Sequence, residues 1–595
     1  MPLQIGVNVL EVDGPATPTL QAAPTSVAAF VGRTRRGVPH QAVRVTDPSQ
    51  FLTRSGAPRA DAYTGLAVLG FFLNGGRETY VVRVAGAGSA AASRPLTSRR
   101  TPAADSLQLQ AGYRGKQDPG AWGNALRVDV RDDPQASTTV TAAVTATDTG
   151  AALGSLSGIA VGSVLTLPTS GVISFRTVTA IDAAASRVTW NGALGATVAQ
   201  GAAVTTAEFR LVIRLQDEAT GAFPVVEDWR WLSMQPGTPG YVADRLNHPA
   251  TGSRFVTVVD LDHGVHTGAN LPAIASGVAL VNGSETAPTV ADLVGSPGDG
   301  TGLYALDTVQ PQLLAVPDAH LLDADAARTV AQGAIAYCAG RGDCMYVGAP
   351  PDREGGTVSR YVDSIKTYAA GGLQGRKVYG ALYAPWIVVP DVAASGPNPV
   401  RPIPPDGHVL GIYARTELER GIFKAPAGDA AVVLGANSLR ADFSDGEHTD
   451  LVQNGHVNGI RAVPGSGIVV AASRTLSTDP RWLFVNVRLL FNFVKATLRD
   501  GLRFVRQEPN TEALRRSVAF NVVTPFLLGL WQRGAFGSDP PTAVFTVKCD
   551  AENNPPAQVD LGNFQLEVYF YPARPAETVQ IIVGQLPSGG TAAEA

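Results

Sequence analysis

Apolar and polar residues alternate at the start of the chain, where Leu3, Ile5, Val7 and Val9 hold every second position, and again at 564–570 and 579–583. Successive side chains of a strand point to opposite faces, so this spacing predicts half-buried strands at both extremities. Between them the pattern changes repeatedly. Residues 26–32 form a short buried-strand run, 61–74 have helical spacing closed by Gly75 and Gly76, and 79–84 are strand-like again, an α/β order. From 107 to 206, short runs rich in Thr, Val, Ala and Gly recur with turn residues between them, among them 164–167, 172–178 and Arg187–Trp190. This is the texture of a small β-sandwich or barrel.

Strands and helices then alternate, with strands expected at Phe209–Leu215 and 255–261 and helices at 241–246, 324–339 and 358–368. The sandwich thus reads as an insertion into an α/β domain, and the Pro-rich stretch 390–405 marks the next boundary. Beyond it, Trp482, Val485, Leu489, Leu490, Phe493 and Leu498 recur at helical spacing. A second helix is expected over 511–532, capped by Asn510, with a kink or break at Pro525, which lacks an amide donor.

At 595 residues the chain exceeds what one core usually holds and suggests three or four domains. A charged share of 16% and a net charge of −4 give no electrostatic argument for nucleic acid or an anionic membrane. Three cysteines are too few for a disulfide framework and suit folding in the cytoplasm. No run approaches the apolar length of a membrane helix, and a standard export signal is not expected.

Candidate chemistry is sparse. Asp260, Asp262, His263 and His266 offer metal-ligand types at close spacing, although a hydrogen-bonded loop is the commoner explanation. The glycine-rich 295–302 lacks the lysine of a phosphate-binding loop and reads as a plain loop. Cys338 and Cys344 have no second pair and read as buried thiols, and the Arg341-Gly342-Asp343 tripeptide is a chance match. No Gly-x-Ser-x-Gly elbow or defensible triad is present, so neither catalytic residues nor cofactors are expected.

A set of segments is more specific. PTSVAAFVGRTRRG at 24–37, GFFLNGG at 70–76, YVVRV at 80–84, PGAWGN at 119–124, TGLYAL at 301–306 and ALYAPW at 381–386 occur in that order. GHVLGIYAR at 407–415, NGIRAVPGSGIVV at 458–470, SRTLS at 473–477, NVRLLFNF at 486–493, FTVKCD at 545–550 and RPAETV at 574–579 follow. Their collinear order resembles that of contractile tail sheath proteins of phage tails, tailocins and contractile injection systems; 134–206 matches least.

The resemblance implies an α/β multidomain fold: an N-terminal arm at 1–20, a middle α/β domain of subtilisin-like topology at 21–104 and 207–370, and an outward-facing inserted β-sandwich at 105–206. An inner α/β domain at 371–577 facing a tube and a C-terminal arm and tail at 578–595 complete it. The implied function is that of a structural subunit, a homo-oligomer of stacked six-fold rings that polymerises helically around an inner tube and contracts to drive it through an envelope. Baseplate and terminator proteins are the other implied partners, with no nucleic acid and no membrane insertion. Assembly would be cytoplasmic, in a virion tail or a contractile particle released by lysis. Leu3, Ile5, Val7, Val9, Val579, Ile581 and Val583 would be the anchors exchanged between subunits, whereas on the residues alone each arm could equally be an edge strand of its own subunit. Arg481, Arg488, Lys495 and Arg499 could touch an acidic tube, or simply be solvated around a helix buried in the inner domain. The alternative from a different class is a hydrolase-like enzyme on the α/β domain, with the sandwich as its binding module.

Overall fold

Six short apolar strands lie side by side in parallel: Thr79–Arg83, Ala28–Gly32, Leu313–Ala315, Met345–Gly348, Gly380–Ala384 and Val457–Val463. The antiparallel strands Ala42–Val45 and Gly467–Val470 finish the two edges. This computed structural model describes residues 20–583 apart from 101, 170–171, 219, 263–269 and 395–396. Alternate side chains of each strand enter different cores, as the pleat requires. Phe30, Val347 and Tyr383 meet the helices Thr64–Leu73 and Asp406–Arg420 on one face. Val31, Tyr346 and Leu382 meet Ala324–Arg341, Val358–Ala370 and Asp445–Gln453 on the other. Strands buried on both faces read as continuous apolar runs, which is why 26–32 was legible as one.

The boundary expected at 370/371 falls inside this sheet. It lies between the helix Val358–Ala370 and the strand Gly380–Ala384, whose residues share the same cores, so there is no break in packing there.

The insertion is larger than expected and nested. The chain leaves the body after Thr79–Arg83 and returns before the helix Val290–Val294, its two ends side by side, with Gly86 N donating to Thr286 O and Ala90 N to Ser284 O, both at 3.0 Å. Its first unit has two antiparallel sheets, Val225–Leu232, Phe209–Leu215, Leu126–Asp132 and Ala275–Ala279 in one and Val256–Asp260, Asp105–Tyr113 and Ser93–Thr97 in the other, around Leu107, Leu109, Val128, Phe209 and Ile213. Phe209–Leu215 and Val256–Asp260 are therefore strands as expected but belong to the insertion rather than to the α/β domain, because periodicity specifies a strand without naming its neighbour.

Within that unit, 135–206 forms a six-stranded sheet with its own core of Leu165, Leu167, Val188 and Trp190. Its two ends meet, Thr141 N donating to Ala152 O and Gly154 N to Thr139 O at 2.9 Å, so the sheet closes into a barrel and not an open sandwich.

After the sheet come the helix Val485–Gly501 and a helical stretch over 512–532. The second is capped by Thr511, one residue after the expected Asn510, its hydroxyl accepting from Leu514 N at 3.2 Å. Instead of breaking at Pro525 the helix widens into a π turn at Val518–Val523, a wider turn that removes the demand for the missing proline amide. A two-stranded antiparallel sheet, Phe545–Lys548 with Glu567–Phe570, closes the fold. No helix among the described residues is long and apolar enough to cross a membrane.

Candidate assembly interface

The two-stranded sheet sits against helix Val485–Gly501 through a run of rings. Trp482 meets Phe491 edge to face at 4.7 Å, Phe491 stacks on Phe570 at 4.2 Å, and Phe570 packs on Phe536 at 5.2 Å. Val568 and Phe570 of the strand, Phe564 and Leu566 just before it, and Leu498 and Leu502 line a groove of about 1380 Å³. Among the described residues, Glu567–Phe570 pairs only with Phe545–Lys548, so each of these strands keeps one edge of backbone donors and acceptors unpaired.

Described residues near each chain end contact the helix Val485–Gly501. At the N-terminal side, Leu20 packs against Gly501, Ala23 N donates to Thr497 Oγ1 at 3.1 Å, and Ser26 Oγ donates to Glu417 at 3.1 Å. The stretch carrying Leu3, Ile5, Val7 and Val9 lies outside the described residues. At the C-terminal side, Asn486 Nδ2 donates to Ala573 O at 3.1 Å and Arg474 Nε to Glu577 at 2.7 Å, which pins the chain just before the predicted arm. Beyond it Val579, Ile581, Ile582 and Val583 are 76–89% exposed, without strand partners among the described residues. These four large apolar side chains within five positions, left in water, forgo about 1.5–3 kcal/mol each relative to burial.

The four expected tube-facing cations part company. Arg488 is fully buried between the rings of Tyr379, 4.2 Å away, and Trp482, 4.1 Å away, and burial pulls its guanidinium down to about 10. This residue is therefore withdrawn from the surface of the chain; the apolar stripe that includes Leu489 and Phe493 could not reveal that a neighbouring arginine would be enclosed by rings from outside the helix. Lys495 donates to the Tyr379 hydroxyl at 3.1 Å. Burial pushes that phenol up, but Lys495, Arg488 and Lys377 more than offset it and hold it below the ordinary range. Arg499 pairs with Asp343 at 2.7 Å, and Arg481 with Asp479 at 2.6 Å on the surface.

Among the described residues, the remaining candidates have ordinary side-chain and backbone partners. Asp260 accepts from the Tyr241 hydroxyl and from the Asp262 amide at 3.0 Å, Asp262 faces Arg100 at 3.5 Å, and His263 and His266 lie outside the described residues. Among the described residues no group of three or more metal-ligand side chains comes together. Cys338 and Cys344 are buried thiols, and Arg341 pairs with its own near neighbour Asp343 at 3.0 Å.

A tail sheath protein of Enterobacteria phage T4 is 25% identical over 320 residues, 52% of this chain and 47% of that protein. One from Vibrio phage KVP40 is 28% identical over 175 residues, 29% of this chain and 25% of that protein. The chain is a homologue of tail sheath proteins. No family model matches it. The matched stretches thus span at most about half of these curated sheath relatives. The crystal structure of a sheath tail protein from Listeria innocua superposes with a TM-score of 0.53, covering 93% of this sheath homologue and 96% of that chain, at 12% identity, so the sheath fold is shared where sequence likeness has largely gone.

Sequence reasoning missed the groove itself. Its signal was the alternation of Phe564, Leu566, Val568 and Phe570, legible as a strand face but not as the wall of a cleft whose other side, Leu498 and Leu502, lies about sixty residues earlier.

Proposed function

We propose that the chain is the structural subunit of a contractile sheath, polymerising helically around an inner tube in stacked rings and driving that tube through a target envelope when the lattice contracts. The observation that carries this reading is the exposed apolar run at 579–583, leaving the body at Glu577 beside a two-stranded sheet with unpaired edges. Added strands supply main-chain hydrogen bonds together with a row of apolar anchors, so neighbours stay linked while their bodies rotate and slide. Val579, Ile581 and Val583 are the C-terminal anchors in this proposal, and Leu3, Ile5, Val7 and Val9 the N-terminal ones.

A baseplate, a terminator and an acidic tube surface would be the further partners; Arg481, Lys495 and Arg499 remain candidate tube contacts. The inserted barrel, whose core is separate from that of the body, would lie away from the tube. The particle would be a phage tail, a tailocin or an injection device.

Deleting residues 1–14, or introducing Ile581→Asp with Val583→Asp, should abolish ordered polymers in electron micrographs while leaving a folded, soluble monomer by circular dichroism and gel filtration. Hollow tubes of unchanged lattice from both variants would sink strand exchange, and discrete small particles from the unmodified chain under all assembly conditions would sink the sheath reading.

A further inference from the structure

At the joint between the parallel-sheet body and the insertion, four guanidinium groups converge on one recess of about 310 Å³. Arg36 and Arg54 come from the body, Arg114 and Arg254 from the insertion. Aromatic faces hold three of them: Arg36 lies 5.3 Å from the Phe255 ring centre, and Arg54 and Arg114 lie 4.0 and 5.1 Å from that of Tyr113. Stacking fixes the planes of these groups while leaving N–H edges free to donate.

Their charges are only partly balanced locally, by Glu227 beside Arg254 and by the more distant Asp118 near Arg36. Thr53 O accepts from Arg36 at 2.7 Å, Pro249 O accepts from Arg114 at 3.5 Å, and Arg54 donates to the Tyr113 hydroxyl, all uncharged partners. Arg254 approaches Glu227 only at 3.9 Å, and among the described residues Arg36, Arg54 and Arg114 have no carboxylate within ion-pair distance. Among the described residues the buried Nε of Arg114 has no hydrogen-bond partner. Among the described residues lining the recess the one carboxylate is Asp118, already committed to Arg83 at 2.9 Å and to the Gly37 amide at 2.6 Å. Burial and then mutual repulsion with neighbouring arginines hold Arg54 below the ordinary guanidinium range.

We propose that this recess binds a phosphate dianion, free or carried on a small molecule, and that the bound group bridges the body and the insertion. Two negative charges suit a site lined by several cations better than the single charge of a carboxylate, and tetrahedral oxygens can accept from several guanidinium forks at once. Because the donors come from both units, occupancy stiffens the joint between them. This site is independent of the sheath reading.

The full chain is titrated with orthophosphate, with adenosine monophosphate and with acetate, each against sodium chloride at equal ionic strength, by calorimetry and by thermal melting. A saturable rise in Tm of about 1–3 °C is expected with a phosphate ligand and not with acetate. The stronger response of the two phosphate arms tells whether the group is free or carried. Arg54→Gln and Arg114→Gln should each weaken binding at least about tenfold, as removal of a charge-assisted donor does. Arg254→Gln, at a side chain that is half exposed, should weaken it as well. Equal melting shifts with chloride or acetate, or undiminished binding in these variants, would overturn the assignment.

Discussion

His408 is a buried imidazole and His320 a largely buried one, each pulled down to about 4 by burial, so the folded chain refuses protons that the unfolded chain accepts near pH 6.5. Between pH 6.5 and 4 the unfolded state binds more protons, so stability falls as pH falls through that window and is flat below it. The two together should remove up to about 4 kcal/mol between pH 6.5 and 5, since one pK unit is about 1.4 kcal/mol. Urea unfolding at pH 7 and pH 5 measures this, and His408→Gln should abolish about half of the difference. Arg488 makes an opposite kind of prediction. Among the described residues none of its three guanidinium nitrogens has a hydrogen-bond partner, and its hold on the fold is the contact area with Tyr379 and Trp482. Arg488→Met should therefore be neutral or stabilising, as replacement of a poorly compensated buried charge by an apolar chain often is. Arg488→Ala should cost about 2–5 kcal/mol by leaving a cavity, and thermal melts of the two variants separate packing from charge.

At the scale of elements, the helices Thr64–Leu73 and Asp406–Arg420 press together through glycines. A Cβ on Gly407 would come within 2.2 Å of Ala67 O, and one on Gly411 within 2.5 Å of Phe71 O. Backbone atoms cannot yield as a flexible side chain does, so Gly411→Val should destabilise by about 1–3 kcal/mol or more, read from the midpoint of chemical unfolding. In the sequence Phe71, Gly407 and Gly411 are part of GFFLNGG and GHVLGIYAR, where helical spacing is visible but the identity of the partner helix is not. The π turn at Val518–Val523 illustrates the same limit. A proline at 525 foretells a defect in the helix, yet whether the chain breaks or merely widens depends on what the flanking turns bury, here Val518, Val522, Val523 and Leu527.

For the whole molecule, the consequence of nested insertion is modularity. Asp133 N donates to Glu208 O at 3.2 Å, so the two ends of the barrel segment leave the insertion side by side, and most of the barrel's apolar residues form a core of their own, although Val164 and Phe175 pack on the core of the first unit. Replacing 135–206 by a short Gly-Ser linker should leave the remaining chain folded but with a lowered unfolding midpoint, because those two contacts are lost, which gel filtration and circular dichroism would check; loss of the soluble fold would show that the two cores are coupled more strongly. The neck above it is the reverse case. Arg83 and Asp118 pair at 2.9 Å, both almost fully buried, and Glu285 draws in Arg33, Arg59 and Arg83. Arg83→Met would leave Asp118 without its charge partner and should cost about 3–5 kcal/mol. Strand and helix positions, the apolar character of the C-terminal run and the likeness to sheath proteins were all present in the order of residues, because side-chain period and local turn chemistry are properties of neighbouring positions. Which strands share a sheet, that residue 370 lies inside one sheet, that 135–206 closes into a barrel, and that Arg488 is enclosed while Val579–Val583 remain uncovered were decided only by the tertiary structure. Pairing and burial join residues tens to hundreds of positions apart, and no local period records who the partner will be.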